Sequence, residues 1–184
     1  MADAAVDVSL NLAIVGSLIL AHELGHYLAG AIAGVPRQSM RVVVTSFPPH
    51  VALLDDGEWI SPREYDRFST VFSRYVSRER AAYGFVAGGH VGELAFVCVV
   101  TGLAMASGFE WLAARVVWFA ILLGAAYLVV DLVGTGIRGV PHGDFSGMWA
   151  MARGPTVAVY VAFFGTLFGL GYVAGLVELL GTLS

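Results

Sequence analysis

Between Val8 and Ala33 the chain reads VSLNLAIVGSLILAHELGHYLAGAIA, and this stretch decides the fold. It exceeds the roughly 20 apolar residues that cross a bilayer. Toward its C-terminal end it carries three ionisable side chains, His22, Glu23 and His26. A cleaved leader is shorter, follows basic residues and tolerates no such interruption, whereas Asp3 and Asp7 precede this segment. It reads as a retained membrane span. Ionisable groups inside a span are expensive and are kept mainly for function.

The rest of the chain agrees. Hydrophobic residues make up 58% and charged residues 13% of 184, and the mean hydropathy is +0.77. Soluble domains average about 25% charged residues, so lipid is the expected solvent. Three further apolar segments, 84–107, 111–134 and 156–180, are long enough to span. Cys98 is the sole cysteine; it precludes an intramolecular disulfide and reads as a small buried filler.

All ten cationic residues are arginine. Arg37, Arg41, Arg63, Arg67, Arg74, Arg78 and Arg80 lie between spans one and two, Arg138 and Arg153 between spans three and four, and only Arg115 near the opposite face. That asymmetry reads as topology and not as attraction to nucleic acid, despite a net charge of −4. The positive-inside rule then puts the N-terminus outside and both long loops in the cytoplasm. His22 lies about 21 Å along a helix from Val8, against a hydrocarbon core of about 30 Å, so the motif belongs in the cytoplasmic third.

The first loop has its own pattern. Arg41–Phe47, Pro48-Pro49 and His50–Leu54 read as a β-hairpin of two short strands around a turn. Ser61-Pro62 then reads as a helix start. Beyond it Tyr65, Phe68, Phe72, Tyr75 and Val76 recur at helical spacing among arginines. This amphipathic helix either lies on the cytoplasmic leaflet or caps the bundle.

His22 and His26, four residues apart, face the same way on a helix and can present two imidazole nitrogens to one tetrahedral zinc. Glu23, about 100° round the helix from His22, can reach a water in an open coordination position and take its proton. Zinc sites of this type need a third protein ligand. Glu93, Asp131, His142 and Asp144 are the candidates in or near the membrane. Asp131 also competes for another role, as acceptor for the outer N–H of His22 or His26.

These residues resemble the site-2 protease family of intramembrane zinc metalloproteases, in its minimal prokaryotic form. The likeness rests on His22-Glu23-x-x-His26 in an early span, a β segment after it, Ala87-Gly88-Gly89 in a later span and Asp144 in a late Gly-Asp segment. It implies one Zn2+ per chain on His22, His26 and Asp144, with Glu23 as the catalytic residue. It further implies a prokaryotic cell membrane and a substrate strand added along Arg41–Phe47. Two family patterns are altered. Val140-Pro141-His142-Gly143-Asp144-Phe145 stands where Asn-Pro-x-x-Asp-Gly is usual. Ala87-Gly88-Gly89-His90-Val91-Gly92 lacks the Pro and the oxyanion-stabilising Asn of the second pattern, leaving His90 as the side chain to substitute for that Asn.

The expectation is an all-α integral membrane protein, residues 1–184 forming a single metalloprotease domain of four transmembrane helices, with a β-hairpin and an amphipathic helix in the first cytoplasmic loop. Its expected partners are the lipid bilayer and a membrane-spanning protein substrate, cleaved near the cytoplasmic face. Two rivals remain open: a membrane zinc hydrolase acting on a non-peptide substrate, and a non-catalytic metal-binding membrane module. The latter has no need of Glu23.

Overall fold

The computed structural model describes residues 2–182. Helix α1 (Ala2–Ala33) leads into a 3₁₀ turn and a three-stranded antiparallel sheet of β1 (Met40–Val43), β2 (His50–Asp55) and β3 (Glu58–Ile60). There follow α2 (Tyr65–Tyr75), α3 (Glu79–Ala106), α4 (Glu110–Arg138), α5 (Asp144–Met151) and α6 (Arg153–Thr182). Four helices are long and apolar enough to cross a membrane, over Val6–Ala33, Glu79–Ala106, Glu110–Arg138 and Arg153–Gly175. Helices α1, α3, α4 and α6 contain the four expected spans, save that the second runs one residue past α3. Gly34 stops α1 at φ 109°, and Pro36 follows where a helix could not continue.

The expected two-stranded hairpin is a three-stranded sheet. The first strand ends at Val43 instead of Phe47, because 44–49 leave the ladder before Pro48 and Pro49, which have no N–H to donate. The tight turn comes later. Asp56 and Gly57, at φ 49° and 88°, join β2 to β3 in a two-residue connection whose two positive φ values match the strand twist. Helix α2 starts at Tyr65, four residues after Ser61; the intervening residues form a turn closed by Glu64 N–H donating to the Ser61 carbonyl at 2.9 Å.

The apolar face of α2 covers this sheet. Val71, Phe72 and Val76 pack with Met40, Val51, Leu53 and Ile60 and with Phe85 at the start of α3. Its arginines are engaged too: Arg67 Nε and Arg74 Nη1 donate to Asp55 at 2.9 and 2.8 Å. The helix thus caps the loop's own sheet and the start of α3.

Helices α1 and α3 pack closest of all, antiparallel, through small residues. A Cβ on Gly25 would strike the Gly88 carbonyl oxygen, and one on Gly92 would lie 2.6 Å from the Gly25 Cα. Such contact lets two helix backbones touch, as small residues at a helix interface do. A second apolar cluster, with Leu18, Val97, Val117 and Phe163, joins α1, α3, α4 and α6. Cys98, expected to be buried, lies on an exposed face of α3.

Candidate metal centre

The close approach of α1 and α3 puts the His-Glu-x-x-His motif against one face of α3. Phe85, Gly89 and Glu93 recur there every four residues, opposite His26 and His22. Both imidazoles are buried. Each is tethered to α3 by its Nδ1: His22 donates to Glu93 Oε2 at 3.0 Å, and His26 donates to the Phe85 carbonyl at 2.9 Å. Gly89 makes room for the rings, since a Cβ there would meet His26 Nε2 and come within 2.5 Å of His22 Nε2.

The third group comes from the far end of the chain. Asp144 Oδ2 sits 2.9 Å from His22 Nε2 and 3.1 Å from His26 Nε2, and the two nitrogens are 3.2 Å apart. These three side chains form a group that could hold a metal ion. Burial alone would raise the Asp144 carboxyl. The imidazoles of His26 and His22 facing it outweigh burial and hold it well below its ordinary value of 3.8.

Counting protons shows what the cluster needs. The Phe85 carbonyl has no proton to give, so His26 Nδ1 carries one, and a neutral ring then leaves a lone pair on Nε2. The same reasoning applies to His22 beside the Glu93 carboxylate. Without a cation, a proton on an Nε2 atom bridges the gap to Asp144 and holds its carboxyl down. With both Nε2 atoms deprotonated, three lone pairs converge within 3.2 Å and a cation is needed among them. Tetrahedral zinc with bonds of about 2.0–2.1 Å separates its ligands by about 3.3–3.4 Å, so movement of a few tenths of an ångström would complete such a site. Two neutral imidazoles and a carboxylate are a donor set that zinc accepts.

Of the four candidates for third ligand, Asp144 joins the histidines. Asp131 does not serve their N–H groups as expected. Its carboxylate instead accepts from Ser146 N–H at 2.8 Å, Ser146 Oγ at 2.5 Å and Thr135 Oγ1 at 3.0 Å, fastening the start of α5 to α4. It thereby holds Asp144 in place from behind. Glu93 takes the role expected of Asp131. His142 packs its ring on Gly134 and gives its backbone N–H to Thr135 and Ser146, outside the cluster.

Glu23 borders the same cavity of about 570 Å³, together with the two histidines and Asp144. Phe68, Phe72, Phe85 and Val86 supply an apolar wall, and Pro48, Pro49 and Arg63 also border it. His90 is buried near Asp144, its Nδ1 3.7 Å from Oδ2 and without a hydrogen-bond partner among the described residues. Tyr127 and Tyr160, absent from the sequence reading, close the cavity from α4 and α6. Their only sequence signal was a phenol within an apolar span.

No family model, curated protein or solved structure matches this chain.

Proposed function

We propose that the chain is an intramembrane zinc endopeptidase of the site-2 protease kind, with one zinc held by His22, His26 and Asp144. The observation that carries this reading is the convergence of His22 Nε2, His26 Nε2 and Asp144 Oδ2 in the cavity that Glu23 also borders. Zinc there would supply Lewis-acid character, acidifying water and polarising a carbonyl oxygen. Glu23 takes the proton of the attacking water and later returns it to the departing amine nitrogen. The Nδ1 bonds of His22 and His26 keep both rings fixed through these transfers.

A helical substrate hides its carbonyls in i→i−4 bonds and must be unwound before attack. Strand β1 pairs only with β2 in the sheet and leaves its other edge open to an added strand. The arginine asymmetry orients the active site toward the cytoplasm. The substrate on this reading is a membrane-anchored protein.

The test is Glu23→Gln in purified protein supplied with a single-span substrate. Zinc content should match wild type, and cleavage should fall by about 10²–10⁴-fold, the usual contribution of a positioned base. Wild-type turnover by that variant refutes the mechanism.

A further inference from the structure

Glu93 lies within the packing of α3, only 1% exposed. Its two carboxylate oxygens are unequal: Oε2 accepts the His22 Nδ1 proton at 3.0 Å, while Oε1 is buried without a hydrogen-bond partner among the described residues. A carboxylate in such surroundings is costly unless positive charge compensates it. No arginine in the described ion pairs reaches it, since Arg67 and Arg74 pair with Asp55 and Arg115 pairs with Asp7. The only polar route out of Glu93 runs through the His22 ring to Nε2, the atom that faces Asp144 and His26.

We propose that Glu93 is a positioning residue for the metal centre, orienting His22 and matching with its own negative charge a cation bound across the imidazole. This inference rests on the metal reading above. Holding the proton on Nδ1 leaves the Nε2 lone pair as the donor, and the bond fixes the ring about its Cβ–Cγ axis. A carboxylate acceptor also makes the far nitrogen more basic than a neutral acceptor would. His26 has only the Phe85 carbonyl in the equivalent place, so the two ligands are tuned unequally.

The proposal has a signature that mere packing lacks. If Glu93 acts on a bound cation through the His22 ring, removing its charge weakens metal binding more than it weakens the metal-free fold. Glu93→Gln keeps the shape and an oxygen that accepts from Nδ1 but loses the charge. Glu93→Ala loses both.

The experiment uses the full chain in detergent micelles and measures three things for wild type and both variants. These are zinc affinity by competition with a chelator, the visible absorption of Co2+ bound in place of zinc, and thermal unfolding with and without zinc. Glu93→Gln should bind zinc about 10-fold more weakly and Glu93→Ala nearer 100-fold, the span seen when such partners are removed. The Co2+ absorption should shift in both. The gain in Tm on adding zinc should shrink in step with affinity, so that each variant loses more Tm with zinc than without it. Wild-type affinity and absorption in both variants would overturn the proposal. So would equal losses of Tm with and without zinc, which mark a packing role alone. A wild-type protein that binds no zinc would overturn the metal reading itself, a different result from either.

Discussion

Adding one methyl group at Gly89 tests the geometry on which the centre depends. A Cβ there would lie 2.5 Å from His22 Nε2 and 2.8 Å from His22 Cε1, and it would also strike His26 Nε2. Comfortable contact between such atoms begins near 3.5 Å, so the rings must withdraw by about 1 Å. Neither is free to do so, because Glu93 and the Phe85 carbonyl hold both Nδ1 atoms from the same helix that carries Gly89. Overpacking costs about 1–3 kcal/mol, and loosening one Nδ1 hydrogen bond adds about 0.5–1.5 kcal/mol. A total of about 1.5–4.5 kcal/mol, at 1.4 kcal/mol per factor of ten, weakens zinc binding by about 10- to 2,000-fold. The assay is zinc affinity by chelator competition, with Gly84→Ala as control. Gly84 lies on the same helix, and an added Cβ there meets nothing within 4 Å. That control should bind zinc as wild type does. If Gly89→Ala binds zinc within threefold of wild type, the rings do not lie against Gly89 and the packing of α1 on α3 described above is wrong.

Zinc content across Asp144→Asn, Asp131→Asn and His142→Ala checks the third ligand: the first should lose the metal, the second should bind it about 10–100-fold more weakly through a misplaced α5, and the third should be unchanged. Retention of zinc by Asp144→Asn would exclude it as a ligand. The clasp between α2 and the sheet should depend on pH. The Arg67 hydrogen bond leads in holding the Asp55 carboxyl below its ordinary 3.8, with Arg74 assisting against the opposing effect of burial. A carboxyl lowered in the folded state stabilises fully above its unfolded value, and that contribution is lost as pH falls through the lower folded value. Thermal unfolding of wild type should therefore weaken in acid below about pH 4, and Asp55→Asn should flatten that dependence; an identical acid profile in the variant would refute the clasp.

The four long helices were legible because nothing competes with their signal: an unbroken apolar run of bilayer length has few other uses. The loop was harder to read, since each of its elements is short and its outcome turns on local chemistry. Pro48-Pro49 correctly marked the reversal between β1 and β2, whereas Asp56-Gly57, a clear hairpin signal flanked by Leu54 and Trp59, adds a second reversal and a third strand. Proline reports that a strand stops there, whereas the positive φ values at Asp56 and Gly57 are what a two-residue reversal requires. Helix α2 was ambiguous for a different reason. An aromatic face beside arginines suits a lipid headgroup layer or a sheet with an acid at its edge, and spacing within the helix does not reveal that Asp55 stands opposite Arg67 and Arg74.

For the site, His22, Glu23 and His26 were legible from spacing within one helix, whereas Glu93 took the acceptor role expected of Asp131 and Asp131 fastens α5, because these roles depend on how helices are aligned. That alignment was nevertheless encoded. Ala21, Gly25 and Ala29 form a small-residue stripe on α1, and Gly88 and Gly92 form one on α3. Consecutive spans run antiparallel, so bringing the stripes together sets Ala29 and Gly25 beside Gly88, and Gly25 and Ala21 beside Gly92, as observed. One step outward on the same faces, His26 then meets Gly89 and His22 meets Glu93. The glycines that let the backbones touch therefore also fix which α3 side chain can reach which imidazole. No comparable stripe marks the approach of α5. Asp144 is placed instead by hydrogen bonds from Ser146 and Thr135 to Asp131, which become specific only after the α4 helix ends at Gly139 and the chain turns back.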